Sequence, residues 1–197
     1  MYRSEYLLGG MKMKSFIIVT LTALVVVFVA LGSGAYNMAA TEKHWVITEE
    51  LITWVRESSI KTRAEELEVP AFNEEDMLEK GFKHYKSMCT GCHLAPGKEP
   101  TELAMGLYPQ APVFHKRAPI TDAQDKLYLS QKYFWVTKHG IKMTAMPAWG
   151  VTHNDEDIWA ITVFLHKLHG MIEEEYAQFA AKLDSHAEGE EDDDHHH

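Results

Sequence analysis

The feature that most constrains this chain is the pentapeptide Cys89-Thr-Gly-Cys92-His93, which contains both cysteines of its 197 residues. Two thiols three positions apart on a helical turn can both reach the vinyl groups along one edge of a porphyrin and form thioethers. The residue after the second thiol then lies next to the iron, where the imidazole of His93 can serve as the proximal axial ligand. The pentapeptide therefore predicts one covalently attached c-type haem with its iron.

Two other kinds of site use the same pair of thiols. A redox dithiol opens a helix in a βαβ unit, but residues 75–110 show no strand-like alternation. A zinc site needs four ligands of Cys or His type, so two would have to come from scattered histidines. Both alternatives account for the pentapeptide less well than haem attachment does.

The charge of the chain is concentrated at its C-terminal end. The formal net charge is −10, and residues 184–194 contain seven acidic groups with no Lys or Arg among them. The preceding residues are nearly balanced, with 19 basic and 22 acidic groups. We therefore predict an acidic disordered tail over residues 183–197 and exclude nucleic acid as a partner.

A single membrane crossing is predicted near the N-terminus. Residues 1–15 form a basic n-region with Arg3, Lys12 and Lys14, and residues 16–35 contain no charge. Twenty helical residues span about 30 Å, enough for one crossing. The alternative is a cleaved secretory signal, because Ser33-Gly-Ala35 resembles a cleavage site. In either case the basic flank stays cytoplasmic and the rest of the chain is delivered to the periplasm of a bacterial cell, at the inner membrane.

Residues 36–70 are predicted to form a juxtamembrane segment with one amphipathic helix. Thr48 is the expected N-cap, the helix is expected over about residues 49–67, and Val69-Pro70 ends it. The predicted apolar stripe consists of Leu51, Ile52, Trp54, Val55 and Ile60. Such a helix packs on the neighbouring domain, lies on the bilayer surface or docks a partner subunit.

Residues 71–182 are predicted to form one helical domain of the size expected for this length. Asn73 caps a helix that runs into the pentapeptide, Ser130 caps another that Gly140 closes, and Thr152 or Asn154 starts the last. Residues 97–129 hold four of the seven prolines and are predicted to be a loop over the haem edge. The predicted buried face of the last helix is Ile158, Ile161, Leu165 and Leu168, extended by Trp159 and Phe164.

The pentapeptide, the segment Lys142-Met-Thr-Ala-Met-Pro-Ala-Trp149 and the aromatic last helix together resemble the class I cytochromes c, particularly bacterial single-haem members with an N-terminal anchor. The resemblance covers about residues 71–175 and implies an all-α cytochrome c fold. It implies that Gly81 and Tyr85 contact the region of residues 161–165. It also implies that the Pro96 carbonyl accepts a hydrogen bond from the proximal imidazole, which would fix the ring.

The sixth iron ligand is predicted to be Met146. Pro147 restricts the backbone next to it, and a loop between two helices can present its thioether to iron. The resemblance implies the same residue, since the family's ligand is the Met of its Met-Pro-Ala motif. Met143 is the second candidate, although core packing is predicted for both Met143 and Met105.

The other polar and aromatic residues near this loop are not predicted to bind the iron. His139 and His153 are predicted to lie at the surface, and His84 is predicted to point away from the haem. Trp149 either donates its indole hydrogen to a haem propionate or packs in the core.

These features predict a membrane-anchored one-electron carrier that is not an enzyme. The expected partners are redox proteins at the membrane, namely a quinol-linked donor and a terminal oxidase or reductase, without a small-molecule substrate. One alternative is a haem subunit of a larger oxidase or reductase complex, docked by residues 45–67. Another is a haem enzyme or gas sensor with a labile sixth ligand, but no distal pair of Arg and His is apparent near the loop.

Overall fold

The computed structural model describes the backbone of residues 3–191 and the side chains of residues 13–182. Within this part the chain is helical and contains no β-strand, which confirms the predicted all-α class. The α-helices are α1 (Arg3–Gly32), α2 (Val46–Ala64), α3 (Glu74–His84), α4 (Thr90–His93), α5 (Glu102–Gly106), α6 (Ala123–His139), α7 (Asp155–Leu168) and α8 (Glu173–Glu191). The chain divides into two units, residues 1–44 and 45–197.

The first unit consists of α1 and a short folded segment. Residues 13–32 of α1 are apolar and long enough to cross a membrane, with a mean hydropathy of 2.7. The helix ends at Gly32 and not at residue 35 as predicted, because Gly34 adopts a φ of +79°, which a helix does not accommodate. Beyond it the Tyr36 hydroxyl and the His44 Nδ1 atom form a hydrogen bond of 2.6 Å.

Helix α2 begins earlier and buries less of its surface than the sequence predicts. Trp45 precedes its first residue, so the predicted cap at Thr48 is wrong, and the helix ends at Ala64. Of the predicted stripe only Ile60 is buried; Leu51, Ile52, Trp54 and Val55 are exposed. The reason is that α2 presents Ile60 and Ala64 to α6, where the side chains of Glu57 and Lys132 also form an ion pair.

The core of the second unit is the crossing of α3 and α7. A Cβ atom at Gly81 would lie 2.0 Å from the carbonyl oxygen of Ala160 and 2.9 Å from the Cβ atom of Phe164, so only glycine permits this approach. Tyr85 lies one turn further on, and its ring centroid is 5.4 Å from that of Phe164. The predicted contact of Gly81 and Tyr85 with the helix that contains residues 161–165, which is α7, is confirmed.

Side-chain caps set most of the remaining helix starts. Asn73 accepts a hydrogen bond from the backbone of Glu75, and Asn154 forms a capping box with Asp157, as expected for these residue types. The predicted start of α6 at Ser130 is wrong. Asp122 caps α6 eight residues earlier, and Ser130 is buried inside the helix, where its hydroxyl donates to the carbonyl of Lys126.

The predicted buried face of α7 is confirmed, since all six predicted side chains are at most 6% exposed. The predicted loop at residues 97–129 contains the short helix α5, a 3-10 turn at Phe114–Lys116 and the start of α6. Proline and short polar runs concealed these elements in the sequence.

Helix α8 was not predicted as a separate element. It begins after the turn at Gly170, and its Tyr176 and Phe179 rings each lie 5.4 Å from the ring of Phe82. The helix continues to Glu191 because its residues are good helix formers, so it passes through the predicted boundary at residue 182. The rest of the predicted tail, residues 192–197, lies outside the described residues.

Candidate haem-attachment site

The two cysteines and His93 lie on one continuous helical stretch. A π-helical turn, Tyr85–Cys89, follows α3 directly and is followed by α4. Leu94 then adopts a φ of +61° and ends α4. The hydroxyl of the fully buried Tyr85 donates to the Leu94 carbonyl at 2.6 Å, which ties the end of the pentapeptide to the core.

The imidazole of His93 is held by its Nδ1 atom. This atom lies 2.9 Å from the carbonyl oxygen of Pro112, and because a carbonyl only accepts, Nδ1 carries the proton. The ring also stacks on Phe114 at a centroid distance of 4.9 Å. Burial is the main cause that lowers the pKa of His93, so the ring stays neutral and its Nε2 lone pair suits a metal ion.

The predicted partner of this imidazole, Pro96, is wrong. Pro96 follows His93 by only three residues, and the Leu94 carbonyl between them accepts a hydrogen bond from the Tyr85 hydroxyl. The ring of His93 instead reaches across to the loop that contains Pro112. The acceptor comes from a segment 19 positions away, which the sequence alone does not reveal.

The environment of the Cys89 thiol does not favour a redox dithiol or a zinc site. They are half-buried and not joined in a disulfide, and burial, followed by the neighbouring Cys92, raises the pKa of Cys89 to about 12. A dithiol nucleophile or a zinc ligand is a thiolate, which this environment disfavours. Among the side chains of residues 13–182, no three His, Cys, Asp or Glu groups lie close enough together to hold a metal ion.

A cavity of about 320 Å³ lies against Cys92. Its lining exposes polar and apolar groups in similar amounts and does not include His93 or Met146. It consists of Cys92, Leu94, Pro100, Ala104, Met105, Gln110, Ala111, Val113 and Lys116. The two half-buried thiols, the adjacent cavity and the oriented His93 imidazole fit a covalently bound haem.

The three methionines proposed as ligands or core residues lie in different settings. Met146 is half-buried, whereas Met143 is 88% exposed and Met105 is 61% exposed. Core packing of Met143 and Met105 is therefore wrong. Met143 lies at the tip of a loop with a φ of +59°, and Met105 lies at the end of the short helix α5, beside the cavity.

The loop that carries Met146 is closed by its own backbone. The Ile141 N–H donates to the Met146 carbonyl at 3.2 Å, and the Met146 N–H donates to the Thr144 hydroxyl at 3.1 Å. That hydroxyl in turn donates to the Ile141 carbonyl at 2.8 Å. Gly140, with a φ of +65°, packs so closely that a Cβ atom would lie 2.7 Å from the Met146 carbonyl oxygen. The position of the Met146 backbone is thus fixed within one tight loop.

We expect Thr144→Val to loosen this loop by about 1 kcal/mol, because both hydrogen bonds of the hydroxyl are lost while the side-chain shape is kept. If Met146 is the sixth ligand, the variant should bind carbon monoxide in the reduced state more readily than the wild type. Thr144→Ser restores the hydroxyl and should restore the wild-type behaviour. Equal carbon monoxide binding by all three proteins would show that this loop does not hold the ligand.

The histidines near the loop have other partners. The His84 ring packs on that of His153 at 5.2 Å, and its Nε2 atom lies 3.6 Å from a carboxylate oxygen of Asp157. His139 is exposed and packs on Trp135. Trp149 is half-buried beside His153, so it is not a fully packed core residue. None of these contacts prepares a histidine nitrogen for iron in the way that Pro112 prepares His93.

Sequence reasoning missed the segment that supports the proximal side. Arg117 lies over the Phe114 ring at 5.3 Å and donates to the Tyr133 hydroxyl at 2.9 Å. The Tyr133 oxygen lies 2.9 Å from the Nε2 atom of His169. This chain connects the residue stacked on His93 to the end of α7. Proline content marked the segment only as a loop, and no other sequence signal singles it out.

The half-buried His166, on α7, is expected to make the stability of the protein depend on pH. Burial, with smaller contributions from His169 and Lys126, lowers the pKa of His166 to about 4, and its Nδ1 atom is buried without a hydrogen-bond partner. The unfolded chain binds this proton near pH 6.5, so stability is fully present above that pH and falls as the pH drops toward 4.

We therefore expect the wild type to lose on the order of 2 kcal/mol between these two pH values from this group, after allowance for its partial exposure. His166→Gln removes the titrating group and should flatten the curve. Denaturant titrations at several pH values measure the difference, and Lys167→Gln, an exposed change on the same turn, serves as the control. A curve for His166→Gln as steep as that of the wild type would contradict the assignment.

The comparison with family models agrees with this geometry. Residues 76–165 match the model described as cytochrome C oxidase, cbb3-type, subunit III. The comparison with curated proteins found no match. The matched segment contains the pentapeptide, Met146 and the crossing of α3 with α7. The match supports a class I c-type cytochrome domain in this part of the chain, and that family implies covalently bound haem c with iron.

Proposed function

We propose that the chain is a membrane-anchored monohaem cytochrome c that carries single electrons on the periplasmic side of a bacterial inner membrane. The observation that supports this most is the hydrogen bond from His93 Nδ1 to the Pro112 carbonyl, at 2.9 Å. It orients the ring and leaves Nε2 as the only nitrogen able to bind iron. Cys89 and Cys92, one helical turn apart on the same stretch, are the thioether attachment residues.

Met146 is the proposed sixth ligand. Its backbone is fixed by Ile141, Thr144 and Gly140, so this loop would hold a thioether ligand with little rearrangement when the iron changes its oxidation state. The bound haem supplies the one-electron redox change of its iron, and a thioether ligand raises the reduction potential. His93 and Met146 would together hold the iron and leave no open site on it, which would favour electron transfer over chemistry at the iron.

Residues 13–32 are the proposed anchor, and the basic residues Arg3, Lys12 and Lys14 keep its N-terminal end cytoplasmic. The haem domain then lies in the periplasm, close to integral redox proteins such as a quinol-linked donor and a terminal oxidase or reductase. Anchoring raises the effective concentration of the carrier near these partners.

Haem attachment is tested by replacing each thiol. Wild-type protein should retain haem through denaturing electrophoresis, Cys89→Ser and Cys92→Ser should each lose one thioether, and the double variant should release the haem. Gly91→Ala is the matched control inside the pentapeptide, because an added Cβ atom meets nothing within 4 Å. Release of haem from the wild type under denaturing conditions would refute covalent attachment.

A second candidate function is that of a fixed haem subunit in a larger oxidase or reductase complex. The description of the matching family model, an oxidase subunit, favours it. Extraction in a mild detergent distinguishes the two functions. A subunit copurifies with other chains in constant ratio, whereas a carrier is recovered alone and exchanges electrons with more than one partner.

A further inference from the structure

Helix α2 has two faces with opposite properties. One face, with Ile60 and Ala64, is buried, and its neighbour Glu57 forms an ion pair with Lys132 on α6. The other face carries four apolar side chains that are each more than half exposed: Ile47, Leu51, Trp54 and Val55. At 3.6 residues per turn the two sets are separated by about 145° around the helix. We call the exposed set the outer face of α2.

We propose that the outer face of α2 lies in the headgroup region of the lipid bilayer and so orients the cytochrome domain against the membrane. The inference rests on the proposed membrane anchoring by residues 13–32. It adds a second contact with the membrane, at the bilayer interface, to the one that the anchor makes. The outer face then contacts lipid and not another protein.

The first support is the continuity of the chain. Only 12 residues, 33–44, and Trp45 separate the last residue of α1 from the first residue of α2. The hydrogen bond between the Tyr36 hydroxyl and His44 closes most of this connection into a loop, which shortens the distance that the connection can span. A short connection to a membrane anchor keeps the helix that follows it near the bilayer surface. The effective concentration of lipid around its apolar side chains is therefore high.

The second support is where the apolar side chains lie along α2. They occupy only the N-terminal half, which is the half nearer to α1 in the chain. On the same side of the C-terminal half the positions are Ser58 and Thr62, both exposed and polar. Tryptophan and aliphatic residues on one side of a helix are typical of helices that lie in the interface. The outer face is therefore limited to the half of α2 that directly follows the connection to α1 in the chain.

The third support is the size of the outer face. A standard protein interface buries about 800 Å² on each partner. Four partly exposed side chains fall short of this area, so alone they do not form a stable contact with another protein. Insertion into a bilayer requires no complementary partner surface. The anchor already confines the chain to the membrane, so little further translational and rotational freedom is lost when these side chains insert. Insertion of these side chains then adds a contribution that scales with the buried apolar area.

The consequence is a fixed orientation of the haem domain. Because the opposite face of α2 packs on α6, contact of the outer face with lipid would fix the orientation of the domain on the membrane. Helix α6 leads directly into the loop that carries Met146. Contact of α2 with lipid would thus set the angle at which the haem side of the domain meets its redox partners.

The test uses the full chain with its haem, in which the native thiols are consumed and one added cysteine can carry a nitroxide label. Leu51→Cys reports on the outer face, Val25→Cys on the anchor, and Gln178→Cys, exposed on α8, is the control. All three positions are exposed, so the visible haem spectrum should be unchanged. The probe is a vesicle of phosphatidylcholine, and accessibility to oxygen and to a polar nickel complex reports depth.

We expect the ratio of oxygen to nickel accessibility at residue 51 to rise severalfold on reconstitution, alongside that at residue 25, while residue 178 stays in water. A label at residue 51 that stays in water while residue 25 is immersed overturns the inference and leaves the anchor intact. Loss of both accessibilities at residue 51 in native membranes only, with no change in vesicles, also overturns it, because a protein then covers the face. A label at residue 25 in water refutes the anchor itself.

Discussion

Met146→Ala should convert the low-spin haem into one with an open sixth position. The oxidised variant is expected to lose the sulfur-to-iron absorption band, and the reduced variant is expected to bind carbon monoxide rapidly. Loss of a thioether also lowers the reduction potential, by a substantial part of the roughly 0.8 V range that axial ligands set. The physical reason is that alanine has no sulfur to bind the iron, while the hydrogen bonds of the loop hold the backbone at residue 146 in place.

The chain offers two matched controls for this experiment. Met143→Ala and Met105→Ala remove the same side chain from positions that are both mostly exposed, one in the same loop and one beside the cavity. Both should keep the sulfur-to-iron band and remain unreactive to carbon monoxide. A Met105→Ala variant that loses the band while Met146→Ala keeps it would transfer the ligand role to α5 and refute the proposed assignment.

Gly81→Ala should destabilise the domain by about 3 kcal/mol or more, although it adds only one methyl group. That carbon would lie 2.0 Å from the carbonyl oxygen and 2.6 Å from the carbonyl carbon of Ala160, both of which are backbone atoms. The helices α3 and α7 must separate to relieve the overlap, which also disturbs the contact between Tyr85 and Phe164. Denaturant unfolding followed by far-ultraviolet circular dichroism measures the loss, and poor recovery of holoprotein agrees with it.

Gly106→Ala is the control, because a Cβ atom there meets nothing within 4 Å. In this helical position alanine should be neutral or stabilising by up to about 1 kcal/mol. If Gly81→Ala unfolds at the same denaturant concentration as Gly106→Ala, the close crossing of α3 and α7 does not hold the fold together.

Local patterns in the sequence predicted a large part of this fold. The buried face of α7 follows from helical spacing, and Asn73 and Asn154 cap helices because their side chains accept backbone hydrogen bonds. Gly81 and Tyr85 were placed against α7 by the resemblance to class I cytochromes c, not by periodicity. Each of these features depends on residues close together in sequence or on a family pattern that the chain retains.

The errors concern contacts between distant segments. The carbonyl that holds His93 belongs to Pro112, and nothing in the local sequence distinguishes it from that of Pro96. The apolar stripe of α2 was predicted to be one surface, but packing on α6 selects Ile60 and leaves the outer face exposed. The cap of α6 is Asp122 and not Ser130, because the polar first turn of this helix resembles a loop in the sequence. Which face of a helix is covered depends on its neighbours, which periodicity does not identify.

The most direct test of the electron-carrier function is the absorption spectrum of the detergent-extracted wild-type protein, oxidised and reduced, with carbon monoxide added to the reduced form. The proposed axial pair, His93 and Met146, predicts a low-spin c-type haem in both states, a sulfur-to-iron band when oxidised and no change with carbon monoxide. A high-spin spectrum, or ready uptake of carbon monoxide, would contradict it and favour a haem enzyme or gas sensor with an open sixth position.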